Sequence, residues 1–158
     1  MRRLWKTIAT VFVLAVVVNY PWELAQAQLY EGMNDFSLAL WRCFVASLGD
    51  GILVLLIFGA GWAALRRSDW FVNPGRLGYL VMLASGLVIG IVVEWAAVHV
   101  MGQWTYAPRM PVIPTFNIGL APVAQMLALP PLVFRAVAVS IRRGVRDGEG
   151  GGDSGEIQ

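Results

Sequence analysis

Two acidic residues stand inside long apolar runs: Asp50 follows Cys43 by seven residues, and Glu94 precedes Met101 by seven. A carboxyl group at membrane depth is costly unless it is paired, protonated or hydrated, so each marks a candidate functional site. At a helical rise of about 1.5 Å per residue both lie roughly 10 Å in from the same side. Matching depth on consecutive antiparallel helices would bring the two carboxyls into one polar cavity and make them titrate as a unit. One can then hold a proton while the other is ionised, the arrangement used in general acid–base and aspartyl-type chemistry. Asp50 and Glu94 are therefore the candidate catalytic residues.

Further polar groups gather at the same level. Asn19 and Glu23 lie toward the end of the first apolar run and Gln125 lies just inside the fourth, so every run delivers a polar side chain to one half of the bilayer. Asn19, Glu23 and Gln26 share one side of a segment that Pro21 can bend. Gly86, Gly90 and Glu94 recur at intervals of four, giving a groove of small residues that carries the carboxylate. Asn117, Ala121 and Gln125 repeat that spacing in the fourth run, while Ser47 and Asp50 share a face of the second beside Gly49 and Gly51. The stretch from Gly102 to Pro114 reads as a lid: Pro108, Pro111 and Pro114 stiffen it, and Trp104 and Tyr106 anchor it at the interface. Arg109 on that lid reads as a counter-ion to Asp50 or Glu94, or as a contact for an anionic lipid headgroup. Asn19, Glu23, Gln125, Trp104, Tyr106 and Arg109 form the candidate substrate-binding set. A plainer reading makes Asn19, Ser47, Asn117 and Gln125 interhelical hydrogen-bonding glue and His99 an interfacial residue. Cys43 is the single cysteine, which excludes an intramolecular disulfide, a dithiol redox pair and a thiolate-rich metal site. Neither a metal nor a cofactor is expected.

The elements that must position these residues are four apolar stretches, at about 4–22, 44–65, 77–101 and 117–140, each long enough to cross a bilayer. The composition agrees, with 58% hydrophobic and 14% charged residues and a mean hydropathy of +0.64. The fold class is all-α, an integral membrane four-helix bundle spanning residues 1–143, followed by a Gly-rich acidic tail at 144–158 that is expected to be disordered. Pro122, Pro130 and Pro131 are expected to kink the fourth helix toward a protein-lined interior. No internal repeat of the inverted-topology kind stands out.

Basic residues set the expected orientation. Arg2, Arg3, Lys6, Arg66, Arg67, Arg76, Arg135, Arg142, Arg143 and Arg146 fall on one side and only Arg42 and Arg109 on the other, so both termini and the 66–76 loop are expected in the cytoplasm. The net charge of +2 conceals this asymmetry, which points to membrane orientation, with no nucleic-acid partner. Tyr20, Trp22, Trp41, Trp104 and Tyr106 mark one interface, and Trp5, Trp70 and Phe71 mark the other. A competing reading takes Arg2 to Lys6, the following apolar run and Ala25-Gln26-Ala27 as a cleavable signal peptide. Bulky residues from Tyr20 to Glu23 before that cut argue against it.

No motif of lipoprotein signal peptidases, intramembrane serine proteases or membrane lipid phosphatases is present, nor a phosphate loop. Glu94-Trp95 followed by Trp104-Thr105-Tyr106 resembles membrane carotenoid-modifying enzymes that pair an intramembrane Glu with an aromatic-rich loop. That resemblance is confined to a short part of the chain and implies no residue roles. The whole chain, including Asn19-Tyr20-Pro21-Trp22-Glu23 and the Trp104 to Pro114 loop, resembles small uncharacterised four-span inner-membrane proteins of bacteria, which implies a topology and no activity. The expected protein is thus a multi-pass inner-membrane protein whose acidic pocket, in the outer half of the bilayer, binds or modifies a lipid or isoprenoid-like molecule. The alternatives are a proton- or cation-coupled transport component acting as a homo-oligomer, and a non-catalytic accessory subunit. Whether it is an enzyme is left open by these residues.

Overall fold

The computed structural model describes residues 2–33 and 35–150. Four long helices dominate it: α1 (Arg2–Gln26), α2 (Phe36–Leu65), α3 (Gly75–Trp95) and α4 (Leu120–Gly150). All four are long and apolar enough to cross a membrane. Their outward faces carry exposed Val13, Val17, Ile52, Leu80, Val88 and Leu132, the surface expected of helices solvated by lipid tails. A single 3₁₀ turn, Ala27–Leu29, extends α1, and a wide π turn, Ala96–Val100, extends α3. The one small sheet pairs β1 (Val112–Ile113) with β2 (Ile118–Gly119), Val112 opposite Gly119.

Local chemistry sets the ends of these helices. Asp35 caps α2, its carboxylate accepting from the Leu38 N–H at 2.8 Å. Arg66 ends the same helix in the left-handed region, φ 56°, returning its N–H to the Trp62 carbonyl at 2.8 Å. Asn117 is also left-handed, φ 50°, so it belongs to the turn between β1 and β2. The spacing Asn117, Ala121, Gln125 therefore does not lie on one helix, because α4 begins at Leu120. Pro122 sits in the first turn of α4, where its missing N–H costs little, while Pro130 and Pro131 are accommodated within the helix. Helix continues through 144–150, where the sequence suggests a disordered tail; the rest of that tail, 151–158, lies outside the described residues.

At the end of the bundle where α2 gives way to α3, the packing is aromatic. Trp70 and Phe71, which by position read as interfacial anchors, are core residues, 0% and 3% exposed. The reason is Gly61 on α2: a Cβ there would lie 2.2 Å from the Trp70 ring, so the glycine makes the space that the indole fills. The indole N–H donates to the Phe58 carbonyl at 3.1 Å, so the polar end of this buried ring is satisfied. Phe134 of α4 completes the knot, 5.4 Å from Trp70 and 5.6 Å from Phe71 between ring centroids. Arg142 donates to the Val72 carbonyl and, at 2.8 Å, to Asn73 Oδ1, tying α4 to the short α2–α3 connection.

The groove on α3 is where its spacing places it. Gly78, Met82, Gly86, Gly90 and Glu94 are all buried. A Cβ on Gly86 would lie 2.4 Å from the Met126 carbonyl oxygen of α4, so only glycine lets these backbones meet. On α2, Gly51 receives the Phe12 ring of α1, a Cβ there meeting it at 2.8 Å, whereas Gly49 faces open space.

Candidate functional site

At the opposite end of the bundle the four helices converge on side chains that hydrogen-bond instead of packing. Gln125 of α4 is the hub, 1% exposed. Its Nε2 donates to Asn19 Oδ1, Glu23 Oε1 and Asp50 Oδ2, each at 2.8 Å. Its Oε1 accepts from Gln26 Nε2 at 3.0 Å, and that same nitrogen donates to Glu23 at 2.7 Å. Gln26 in turn accepts from the Trp22 indole at 3.2 Å, and Asn19 Nδ2 donates to the Ala15 carbonyl at 2.7 Å. Glu23 and Asp50 thus share the Gln125 amide, which donates to one oxygen of each. Among the described residues no buried side-chain nitrogen or oxygen lacks a partner.

Glu94 holds a second, adjacent cluster and is 4% exposed. Its Oε1 accepts from the Tyr106 hydroxyl at 2.5 Å and from the Trp104 indole at 3.3 Å. The Tyr106 oxygen accepts from the Gly119 N–H at 2.7 Å, so one phenol joins the carboxyl to the sheet of the 101–119 loop. Burial, reinforced by the bond to Glu94, pushes the Tyr106 phenol above its ordinary range and keeps it a donor. Tyr30 is likewise pushed up, by burial first and then by the neighbouring Glu94.

The loop is stitched to the α1–α2 connection. Tyr30 bridges to Tyr106, the Glu31 N–H donates to the Thr105 carbonyl at 2.9 Å, and the Ala107 N–H donates to the Leu29 carbonyl at 2.9 Å. His99 contacts the Phe116 and Asn117 carbonyls at 3.3 and 3.2 Å, pinning the far side of the loop. Together these segments cap the polar end.

Beneath the cap lies a cavity of about 610 Å³, within the roughly 300–1,000 Å³ of small-molecule sites. Glu23, Gln26, Asp50, Glu94 and Gln125 line its polar side, and Leu53, Val93 and Met126 are among its apolar walls. Tyr30, Trp41 and Trp104 are aromatic members of its lining. No family model matches the chain, and neither a curated protein nor a solved structure matches it. The reading of the site therefore rests on its own geometry.

Asp50 and Glu94 both line this cavity, but Asp50 shares its Gln125 donor with Glu23 on α1, while Glu94 is held separately by Tyr106 and Trp104. Asn19, Glu23 and Gln125 belong to the network, and Trp104 and Tyr106 bind Glu94. Arg109 is exposed and is not among the cavity-lining residues. A turn closed by the Met110 N–H on the Ala107 carbonyl buries Met110 and leaves Arg109 outside. The cation that does line the cavity is Arg42. Gln26 and Tyr30 are further site residues that the candidate set lacks. Gln26 carries a visible signal, since it continues the face of Asn19 and Glu23, whereas Tyr30 arrives through a long-range backbone bridge that no spacing announces. Ser47 donates to its own helix, to the Cys43 carbonyl at 2.7 Å, and is structural. Among the described residues no group of three or more His, Cys, Asp or Glu is placed to hold a metal ion.

Proposed function

We propose that this is a multi-pass inner-membrane protein whose capped cavity binds, and is equipped to modify, a lipid or isoprenoid-like molecule from the outer leaflet. One observation carries the reading: a cavity of about 610 Å³ is lined by Glu23, Asp50 and Glu94 from three different helices together with apolar walls such as Leu53, Val93 and Met126. A bundle needing only to hold its helices together has no need of carboxyls from three helices around one cavity, since acidic groups at membrane depth are costly. Glu23 and Asp50 share the Gln125 amide and Glu94 is held by Trp104 and Tyr106, so carboxyls able to give or take a proton line one chamber. The bias of ten basic residues against two supports a cytoplasmic location for both termini.

Mass spectrometry of protein extracted in native-membrane discs tests the ligand directly. Wild type should retain an amphiphile that the Asp50→Asn/Glu94→Gln double variant loses while keeping its folded elution profile. Equal lipid content in the two would overturn the reading. Reporter fusions test the placement: activity in the cytoplasm is expected after Gln158 and outside it near Met33, and the opposite pattern would put the cavity in the wrong leaflet.

A further inference from the structure

The walls and the polar end of the cavity point to different parts of one ligand. On α2, Arg42, Val45, Ala46, Gly49 and Leu53 line the cavity in a continuous stripe, and on α3 Val93 faces them. Val45, Ala46, Gly49 and Val93 are at the same time exposed on the bundle's flank. Deeper in the bundle Ile57 of α2 approaches Gly86 of α3, where a Cβ on the glycine would lie 3.7 Å from the Ile57 side chain. At the level of Gly49 a Cβ would meet nothing within 4 Å. The two helices thus close on each other at one end and part at the other, leaving a slot whose lips are apolar and which faces where lipid chains would lie.

At the inner end of that slot, hydrogen-bond acceptors exceed donors. Gln125 has two N–H hydrogens for three acceptors, all at 2.8 Å. The other side-chain donors directed at the carboxyls are Gln26, Tyr106 and Trp104, against two oxygens on each of Glu23, Asp50 and Glu94. A group that donates a hydrogen bond fits this surplus. A phosphate or carboxylate head, which brings only acceptors and negative charge, does not.

Resting on the ligand-cavity reading above, we infer that the occupant is a single apolar chain ended by a hydrogen-bond-donating group, a hydroxyl or an amine, and that it enters sideways from the lipid between α2 and α3. The chain lies along Val45, Gly49, Leu53 and Val93, and the head reaches Glu23, Asp50 and Gln125. Arg42 lines the same cavity with its guanidinium toward the α1–α2 connection, where a Cβ on Gly32 would lie 3.8 Å from Nη1.

The test uses the full-length protein in nanodiscs and three photoactivatable probes that share one long apolar chain and differ in head: an alcohol, an amine and a monophosphate. Adducts are located by peptide mass spectrometry. The alcohol, the amine or both should label residues 41–53 at least about tenfold above the phosphate, the discrimination expected when buried acceptors lose a donor. Alcohol alone identifies a neutral head and amine alone a cationic one, and either supports the shared chemistry. Gly49→Trp, placed where a Cβ meets nothing within 4 Å, should cut labelling about tenfold by blocking the slot. Gly59→Trp, equally open but outside the cavity lining, should leave it unchanged. Equal labelling by the phosphate would overturn the donor-head inference while the cavity reading stands. Labelling indifferent to Gly49→Trp would overturn the sideways path. Labelling by none of the probes would overturn the cavity reading itself.

Discussion

The two ends of this bundle solve the same packing problem in opposite ways. At one end the gap between α2, α4 and the 66–74 connection is filled by Trp70, Phe71, Phe58 and Phe134, and Gly61 is the notch that seats the indole. At the other end the same helices converge on Asn19, Glu23, Asp50, Glu94 and Gln125 and leave a cavity. Large aromatics stood available for both. The first end is closed by aromatic packing, and the second gathers costly polar groups around a cavity, the arrangement on which the proposed site rests.

The contrast can be broken most forcefully at the packed end. Trp70→Ala removes the filler and leaves Gly61 facing a void, so thermal unfolding in detergent should show a loss of about 3–5 kcal/mol. Asp50→Asn at the polar end, which keeps shape and hydrogen-bonding capacity, should change stability by less than about 1 kcal/mol while abolishing ligand retention. Comparable losses at both positions would make the polar network a structural brace.

A smaller effect sharpens the boundary between the ends. Gly86→Leu drives a side chain into the Met126 backbone and should cost about 1–3 kcal/mol, while Leu87→Phe on the exposed face should stay within about 0.5 kcal/mol in the same unfolding assay. Equal tolerance would mean that α3 and α4 are not in contact along this groove.

The smallest effect lies in the cap and depends on pH. Because the folded state holds the Tyr106 proton more tightly than the unfolded chain does, its contribution is fully present below the ordinary phenol value of 10.0 and is lost as pH rises above it. Wild type should therefore lose stability more steeply than Tyr106→Phe in unfolding measured above that pH. Parallel curves would show that the phenol is not held by Glu94.

Much of this was readable from residue order alone, and the failures have physical causes. The Gly86, Gly90, Glu94 stripe was legible because helical spacing fixes a face, and the level of Asp50 and Glu94 followed from counting residues along two spans. The burial of Trp70 and Phe71 was not legible, since an aromatic residue at a helix end suits either a membrane interface or a core, and only the notch at Gly61 decides between them. That Asp50 and Glu23 share the Gln125 amide depends on how α1 and α2 are rotated against each other, which depth does not specify. Arg109, expected at the site, lies outside it because a backbone turn, invisible in composition, leaves it exposed, while Arg42, given no site role by the sequence, lines the cavity.

The central claim is that the polar end holds a ligand cavity open to lipid between α2 and α3, and the most direct measurement is an experimental density map of the protein in nanodiscs made from its native membrane. The account predicts an elongated density passing between Gly49 and Val93 and ending beside Glu23, Asp50 and Gln125. A map in which α2 and α3 close against each other at that level, with no chain between them and the carboxyls packed shut, would contradict it.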